Sequence, residues 1–207
     1  MMVSLRQSLA KDRRGATLIE FALICPVMLL MMMGLGELLY QAYAQSILNG
    51  SIQKAARDSA IEGGASNVAT IDGLVITQMA PLIKNLTNNC APSGSTGTWC
   101  STRKSYDTFS EVAPEPFTDT NSNGVRDPGE CYTDENGNGA WDADPGLNGQ
   151  GGASAVTLYT MTITYPRLFP LAGLMKLSPM QTIAASTLLK NQPYAGQTVN
   201  ANVTICT

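Results

Sequence analysis

The chain has 207 residues, a net charge of −3 and no histidine, so the commonest general base and the commonest zinc ligand are both missing. The length allows one membrane anchor and one modest domain. Nine of the sixteen acids fall between Glu111 and Gly146, with Arg126 as the sole base there, an acidic block that excludes nucleic-acid binding, which needs clustered cations.

Residues 1–15 carry Arg6, Lys11, Arg13 and Arg14 against Asp12. An apolar run follows from Ala16 to Gly36 with Glu20 as its single charge. At 1.5 Å per residue this run spans roughly 30 Å, the thickness of a bilayer core. The basic leader puts residues 1–15 in the cytoplasm and the bulk of the chain outside. Pro26 removes a helix hydrogen bond and predicts a kink. Beyond the run, Leu39, Tyr43, Ile47 and Ser51 recur at helical spacing, with Tyr40, Leu48 and Ile52 beside them. The helix is predicted over about 16–61, stopped by Gly63-Gly64. Its segment 16–36 is transmembrane, and 37–62 continues it outside the membrane.

Three readings compete for this helix. One is a simple anchor. The second is a secretory signal cut after Ala44, against which stand the length of the apolar run and the acids Glu20 and Glu37. The third is a prepilin-type leader cut after Gly15, leaving Ala16 as the new N-terminus and Glu20 as the fifth residue. There the Ala16 amine and a neighbour's Glu20 carboxylate neutralise each other within an apolar helix bundle. Only this reading gives the buried acid a partner.

Downstream, residues 63–207 read as one extracytoplasmic α+β domain. Ile71, Leu74, Val75, Met79, Leu82 and Ile83 predict a short amphipathic helix over Thr70–Lys84, interrupted near Pro81. Tyr159, Met161, Ile163 and Tyr165 alternate with threonines as a half-buried strand over 155–165. Residues 181–190 read as a second strand with Ile183, Ala185, Thr187 and Leu189 on one face. The Pro/Leu-rich link from Pro166 to Pro179 is predicted irregular; its apolar residues (Leu168, Phe169, Leu171, Leu174, Met175) either pack on the sheet or rest at the membrane or a partner, and core packing is the favoured reading.

Cys25 falls in the apolar run. Cys90, Cys100, Cys131 and Cys206 form an even set in the outer part and predict two disulfides, for which three connectivities exist. The short flexible segment between Cys90 and Cys100 favours that pair, which leaves Cys131 with Cys206.

Residues 115–146 form an acidic insert with a repeat at a 15-residue offset: Phe117–Asp127 matches Tyr132–Asp142. The first copy fits the calcium loop D-x-[DN]-x-[DN]-G-x5-E along its full length. Asp119, Asn121 and Asn123 supply oxygens at positions one, three and five, Val125 its carbonyl at seven, Asp127 acts at nine, and Glu130 closes the site. The second copy offers Asp134, Asn136, Asn138, Ala140 (by its carbonyl) and Asp142. Its twelfth position is Pro145, with Asp144 one residue early, so its closure and its occupancy by Ca2+ stay open. No amphipathic helices flank the loops, which points to a structural staple for a hydrophilic insert.

The run Gly15-Ala16-Thr17-Leu18-Ile19-Glu20-Phe21-Ala22-Leu23, with Pro26 and the Leu/Met residues after it, resembles the TadE-like pseudopilins of tight-adherence (Tad/Flp) pilus systems. Val156–Tyr165 and Thr182–Tyr194 are similar to that family's closing strand pair, although Lys190 and Gln192 stand where the family commonly has arginine and glutamate. The resemblance covers about 13–62 and 155–194. It implies a small pilin-like domain with antiparallel strands behind the helix. It also implies a minor pilin or pseudopilin in the bacterial inner membrane, cut by a prepilin peptidase after Gly15. Its partners would be other pilins of the same system and the inner-membrane assembly platform, its work pilus initiation, assembly and adhesion, without enzymatic activity. The competing function is a membrane-anchored, calcium-dependent adhesin or binding module that is not processed as a prepilin.

Overall fold

The computed structural model describes residues 14–61, 63–91, 94, 96–170, 172–173, 176–197 and 199–206, with the backbone alone at 14–17 and 65. Residues 1–13 of the expected leader lie outside the described residues.

Helix α1, Arg14–Ser59, is continuous through Pro26. Its 46 residues give a length of about 69 Å at the standard rise. It is long and apolar enough to cross a bilayer. From Leu18 to Leu35 the large apolar side chains other than Met33, which is half-buried, are exposed to whatever surrounds the helix. The pattern then changes. Ala44, Leu48, Ser51, Ile52, Ala55, Ala56 and Ser59 are buried, a stripe at the three-and-four spacing of one helical face. This stripe differs from the expected one, for Leu39 and Tyr43 are exposed. The observed face is built largely of small residues, which let a helix backbone approach closely where a tyrosine would not. After the helix, Gly63 adopts φ 81°, a left-handed turn that costs a side-chain-bearing residue more.

The chain divides into two units. One comprises residues up to Tyr43 together with Pro166–Gln181; the other comprises Ala44–Tyr165 and Thr182–Thr207. In the second unit, α2 runs over Val68–Met79. The strands are β1 Thr87–Asn88, β2 Thr98–Tyr106, β3 Cys131–Asp134, β4 Leu147–Asn148, β5 Val156–Pro166, β6 Met180–Lys190 and β7 Val203–Cys206. The main sheet has the order β1-β2-β5-β6, with β4 also paired to β2. It is mixed: β1 runs parallel to β2, whereas β5 and β4 run antiparallel to it. Tyr159, Met161, Ile163 and Tyr165 are buried as their alternation predicts, and so are Ile183 and Ala185. The small second sheet pairs β3 with β7.

The central strand β2 escapes sequence reading because Thr-Trp-Cys-Ser-Thr-Arg-Lys-Ser-Tyr has no apolar alternation. Its inward positions are polar and meet a polar partner. Asp72 on α2 is buried and takes a two-pronged contact from Arg103 of β2, at 2.6 and 3.2 Å. The Ser101 and Tyr159 hydroxyls donate to the same carboxylate. The Arg103 guanidinium lies 4.0 Å from the Tyr159 ring centroid. Burial alone would raise the Asp72 pKa, but Arg103, Ser101 and Tyr159 outweigh it and hold the group below the ordinary value.

Cys90 is bonded to Cys100, and Cys131 to Cys206, as the sequence favours. Cys131 and Cys206 stand opposite each other in the β3–β7 register. Replacing Cys90 and Cys100 by serine should lower stability by about 2–3 kcal/mol, the loop-entropy value for a closure of ten residues. Urea denaturation of the two proteins under oxidising conditions measures it.

Candidate functional site: a pair of acidic loops

The 15-residue repeat folds as two loops related by near-twofold symmetry. Phe117 and Tyr132, equivalent residues of the two copies, form an antiparallel bridge. Around it Thr118 N–H donates to the Cys131 carbonyl and Thr133 N–H to that of Pro116, each at 2.8 Å. The aromatic supports repeat too: Trp141 packs edge-on to Phe117, and Arg126, its equivalent, lies over Tyr132.

Within each loop the turn is set by the first aspartate. Asp119 accepts from the Asn123 and Gly124 N–H groups; Asp134 accepts from those of Gly137, Asn138 and Gly139. The sixth position must turn sharply, and Gly124 and Gly139 have φ of 75° and 77°, a region that glycine enters without penalty. Asn121 and Asn123 both donate to Asp127 Oδ2 at 2.7 and 2.8 Å. Asn136 and Asn138 do the same to Asp142 Oδ2 at 2.8 and 2.6 Å. Val125 and Ala140 occupy the seventh position of each loop and donate their N–H groups to Asn123 and Asn138.

The closing acids complete the correspondence. Glu130 accepts the N–H of Thr120 on one oxygen and that of Asp127 on the other. These are the second and ninth residues of the first loop. In the second loop the equivalents are Glu135 and Asp142, and both donate to Glu115, at 2.9 Å each. Glu115 therefore closes the second loop from outside it, in the role that Pro145 cannot fill. Asp144, the expected substitute, is turned elsewhere: its carboxylate meets Lys104 and the Tyr106 hydroxyl. That contact, with burial, pushes the Tyr106 pKa up to about 12. The sequence signal for Glu115 was available. Extended two residues upstream, the repeat aligns Glu115-Pro-Phe-Thr-Asp with Glu130-Cys-Tyr-Thr-Asp.

The electrostatics are one-sided. Glu115, Glu130 and Asp134 are 1, 4 and 4% exposed. Among the described residues no cationic side chain makes an ion pair with Glu115 or Asp134. Backbone donors hold the Asp119 and Glu130 carboxyls below their ordinary range, Gly124 leading for the first and Asp127 for the second. The first and closing acids of the first loop thus stay ionised into acid. Glu135 moves the other way, raised by burial and by Glu111 and Glu115 nearby. Among the described residues no three His, Cys, Asp or Glu side chains come together as a metal cluster; asparagines and backbone groups fill the remaining loop positions. Such a donor set is all oxygen, which suits a hard cation and no soft one.

The other predicted site lies in α1. Gly15 and Ala16 fall at its start, and Glu20 is exposed on the helix surface with no ion pair among the described residues. No curated protein and no solved structure matches the chain. Residues 15–57 match the family model described as TadE-like protein, a span that opens on Gly15 and takes in Glu20, so over its N-terminal helix the chain is similar to that family.

Proposed function

We propose that the chain is a minor pilin-like or pseudopilin component of a Tad-type pilus, working in pilus initiation and assembly and in surface adhesion. The observation that carries this reading is the TadE-like match over 15–57. It falls on the segment where a lone acid interrupts an apolar span. In this reading a prepilin peptidase cuts after Gly15, and the Ala16 amine then pairs with the Glu20 carboxylate of a neighbouring pilin. Helix α1 holds the protein in the inner membrane with its N-terminus in the cytoplasm, and the domain folds in the periplasm, where the two disulfides are stable. Other pilins of the system and the inner-membrane assembly platform are its partners. The role is structural and not catalytic.

The acidic loops are the second part of the proposal: each holds Ca2+, the first with Glu130 and the second with Glu115 as closing acid. Glu115 and Asp134, buried with no ion pair among the described residues, support this, because buried charges are ordinarily paired or bound to a metal. A calcium-dependent adhesin on an ordinary anchor would use the same loops, so they do not separate the two functions; the N-terminus does.

Protein purified from membranes should begin at Ala16 on N-terminal sequencing. Met1 or Gln45 as first residue would overturn the pilin reading and leave the anchored adhesin. Glu20→Ala should abolish piliation while leaving membrane insertion intact, scored by electron microscopy and by fractionation.

A further inference from the structure

For the link between β5 and β6 the core was the favoured place, with the membrane or a partner as the alternative, and its described ends are not in the core. Leu168 is 56% and Leu177 50% exposed, and Lys176, next to Leu177, is exposed as well. This segment belongs to the same unit as the first part of α1, and its attachment there is specific. Glu37, only 7% exposed, accepts the N–H groups of Leu168 and Phe169 on one oxygen, each at 3.2 Å. Arg167 approaches the other oxygen at 3.8 Å and donates to the Ser178 carbonyl, tying the two ends of the link together. The Phe169 ring lies so close to Gly36 that a Cβ there would stand 3.1 Å from it.

Gly36 and Glu37 are also where the apolar run of α1, with Glu20 as its single charge, ends. From Leu18 to Glu37 the helix rises about 28 Å, close to a full hydrocarbon core. The link is thus fastened at the level where the helix leaves the bilayer. Its exposed side chains are leucines, and its only charges are Arg167 and Lys176, which suits anionic lipid phosphates beside an acyl boundary.

We infer that the ends of this link, Arg167–Pro170 and Lys176–Pro179, form a second membrane contact, resting in the outer interface of the bilayer that α1 crosses. Leu168 and Leu177 sit at the acyl boundary and Lys176 reaches the phosphates. The apolar surface of α1 continues onto the link, so lipid is the occupant in preference to a second copy of the chain. This inference rests on the reading of residues 18–36 as membrane-spanning.

The test uses the full chain in vesicles of phosphatidylethanolamine and phosphatidylglycerol, with brominated lipids as quenchers. Tryptophan is introduced one position at a time as L168W, L177W, V27W and L74W, and the emission of Trp99 and Trp141 is subtracted using the unsubstituted protein. All four positions are exposed, so each variant keeps the fold. L168W and L177W should lose emission to bromines near the headgroups more than to bromines near the bilayer centre. V27W should show the reverse order, and L74W, on the outer face of α2, neither. If V27W is quenched while L168W and L177W behave as L74W does, the second contact is refuted and the spanning helix stands. A blue-shifted L177W that bromolipids leave untouched identifies protein cover and also overturns the inference. If V27W itself escapes quenching, the spanning reading fails and takes this inference with it.

Discussion

Asp72→Ala should cost about 3–5 kcal/mol, the penalty for breaking a buried ion pair by removing one partner. The loss is large because three groups lose their acceptor together. Arg103 would remain buried between α2 and β2 with its charge uncompensated, and the Ser101 and Tyr159 hydroxyls would have no carboxylate to meet. The guanidinium keeps its place over the Tyr159 ring, worth about 2 kcal/mol in a desolvated site, less than the lost carboxylate supplied. The informative control is the double variant Asp72→Leu/Arg103→Met. It removes both charges and fills the space with apolar side chains, and should recover most of the loss, since a buried pair gains little net stability over a well-packed apolar replacement. Chemical denaturation of the three proteins decides it. A single variant as stable as the parent would mean that Arg103 finds water or another acid.

Calcium should raise stability by about 5 kcal/mol when both loops are filled at a hundred times their dissociation constants, about 2.7 kcal/mol for each. For a chain of this size that is a rise in Tm of about 10–20 °C. Calorimetry of the full chain in detergent, with calcium and with chelator, measures it. The variants separate the loops. Glu130→Gln should remove the response of the first loop and Glu115→Gln that of the second, each leaving about half of the shift. Glu115→Gln is the sharper test, since Glu115 lies outside the loop motif and its role follows from the geometry alone. A full response in that variant would dismiss Glu115 as a ligand, and no response in the parent would dismiss calcium as a structural ion.

Acid should act against calcium, lowering stability. Asp119 and Glu130 have folded pKa values below their unfolded ones. Their contribution is present above the unfolded pKa, about 4, and is lost as pH falls through the folded values.

What the sequence made legible follows from how local each signal is. The helix α1, the strands β5 and β6 and the first loop each carry their pattern within one continuous segment. Polar alternation in β5 and the Asp119–Glu130 spacing needed no knowledge of what lies across from them. The features missed all depend on residues distant in the chain. β2 carries no strand pattern because Arg103 faces inward, and Asp72, 31 residues earlier, makes that tolerable. Glu115 was passed over because a motif read forward from Asp134 looks for its closing acid ahead, at Pro145. The apolar link was left open between core, membrane and partner, with the core favoured, because apolar composition alone does not distinguish a sheet from a lipid surface. Its contact with Glu37 spans more than 130 residues of sequence.

The exchange of closing acids has a consequence for how the insert would respond to its ion. Glu115 and Asp119 flank one side of the Phe117–Tyr132 bridge, and Glu130 and Asp134 flank the other. Each loop therefore draws ligands from both sides of the bridge or fixes the segment that carries its neighbour's. On the proposed calcium reading, an ion in either loop makes the ordering cost of the bridge fall once for both, and the second ion binds to a site already assembled. The insert would then fill in a single steep step, rigid above a threshold of free calcium and loosened below it, so that the outer face of the protein registers whether it has reached a calcium-rich exterior.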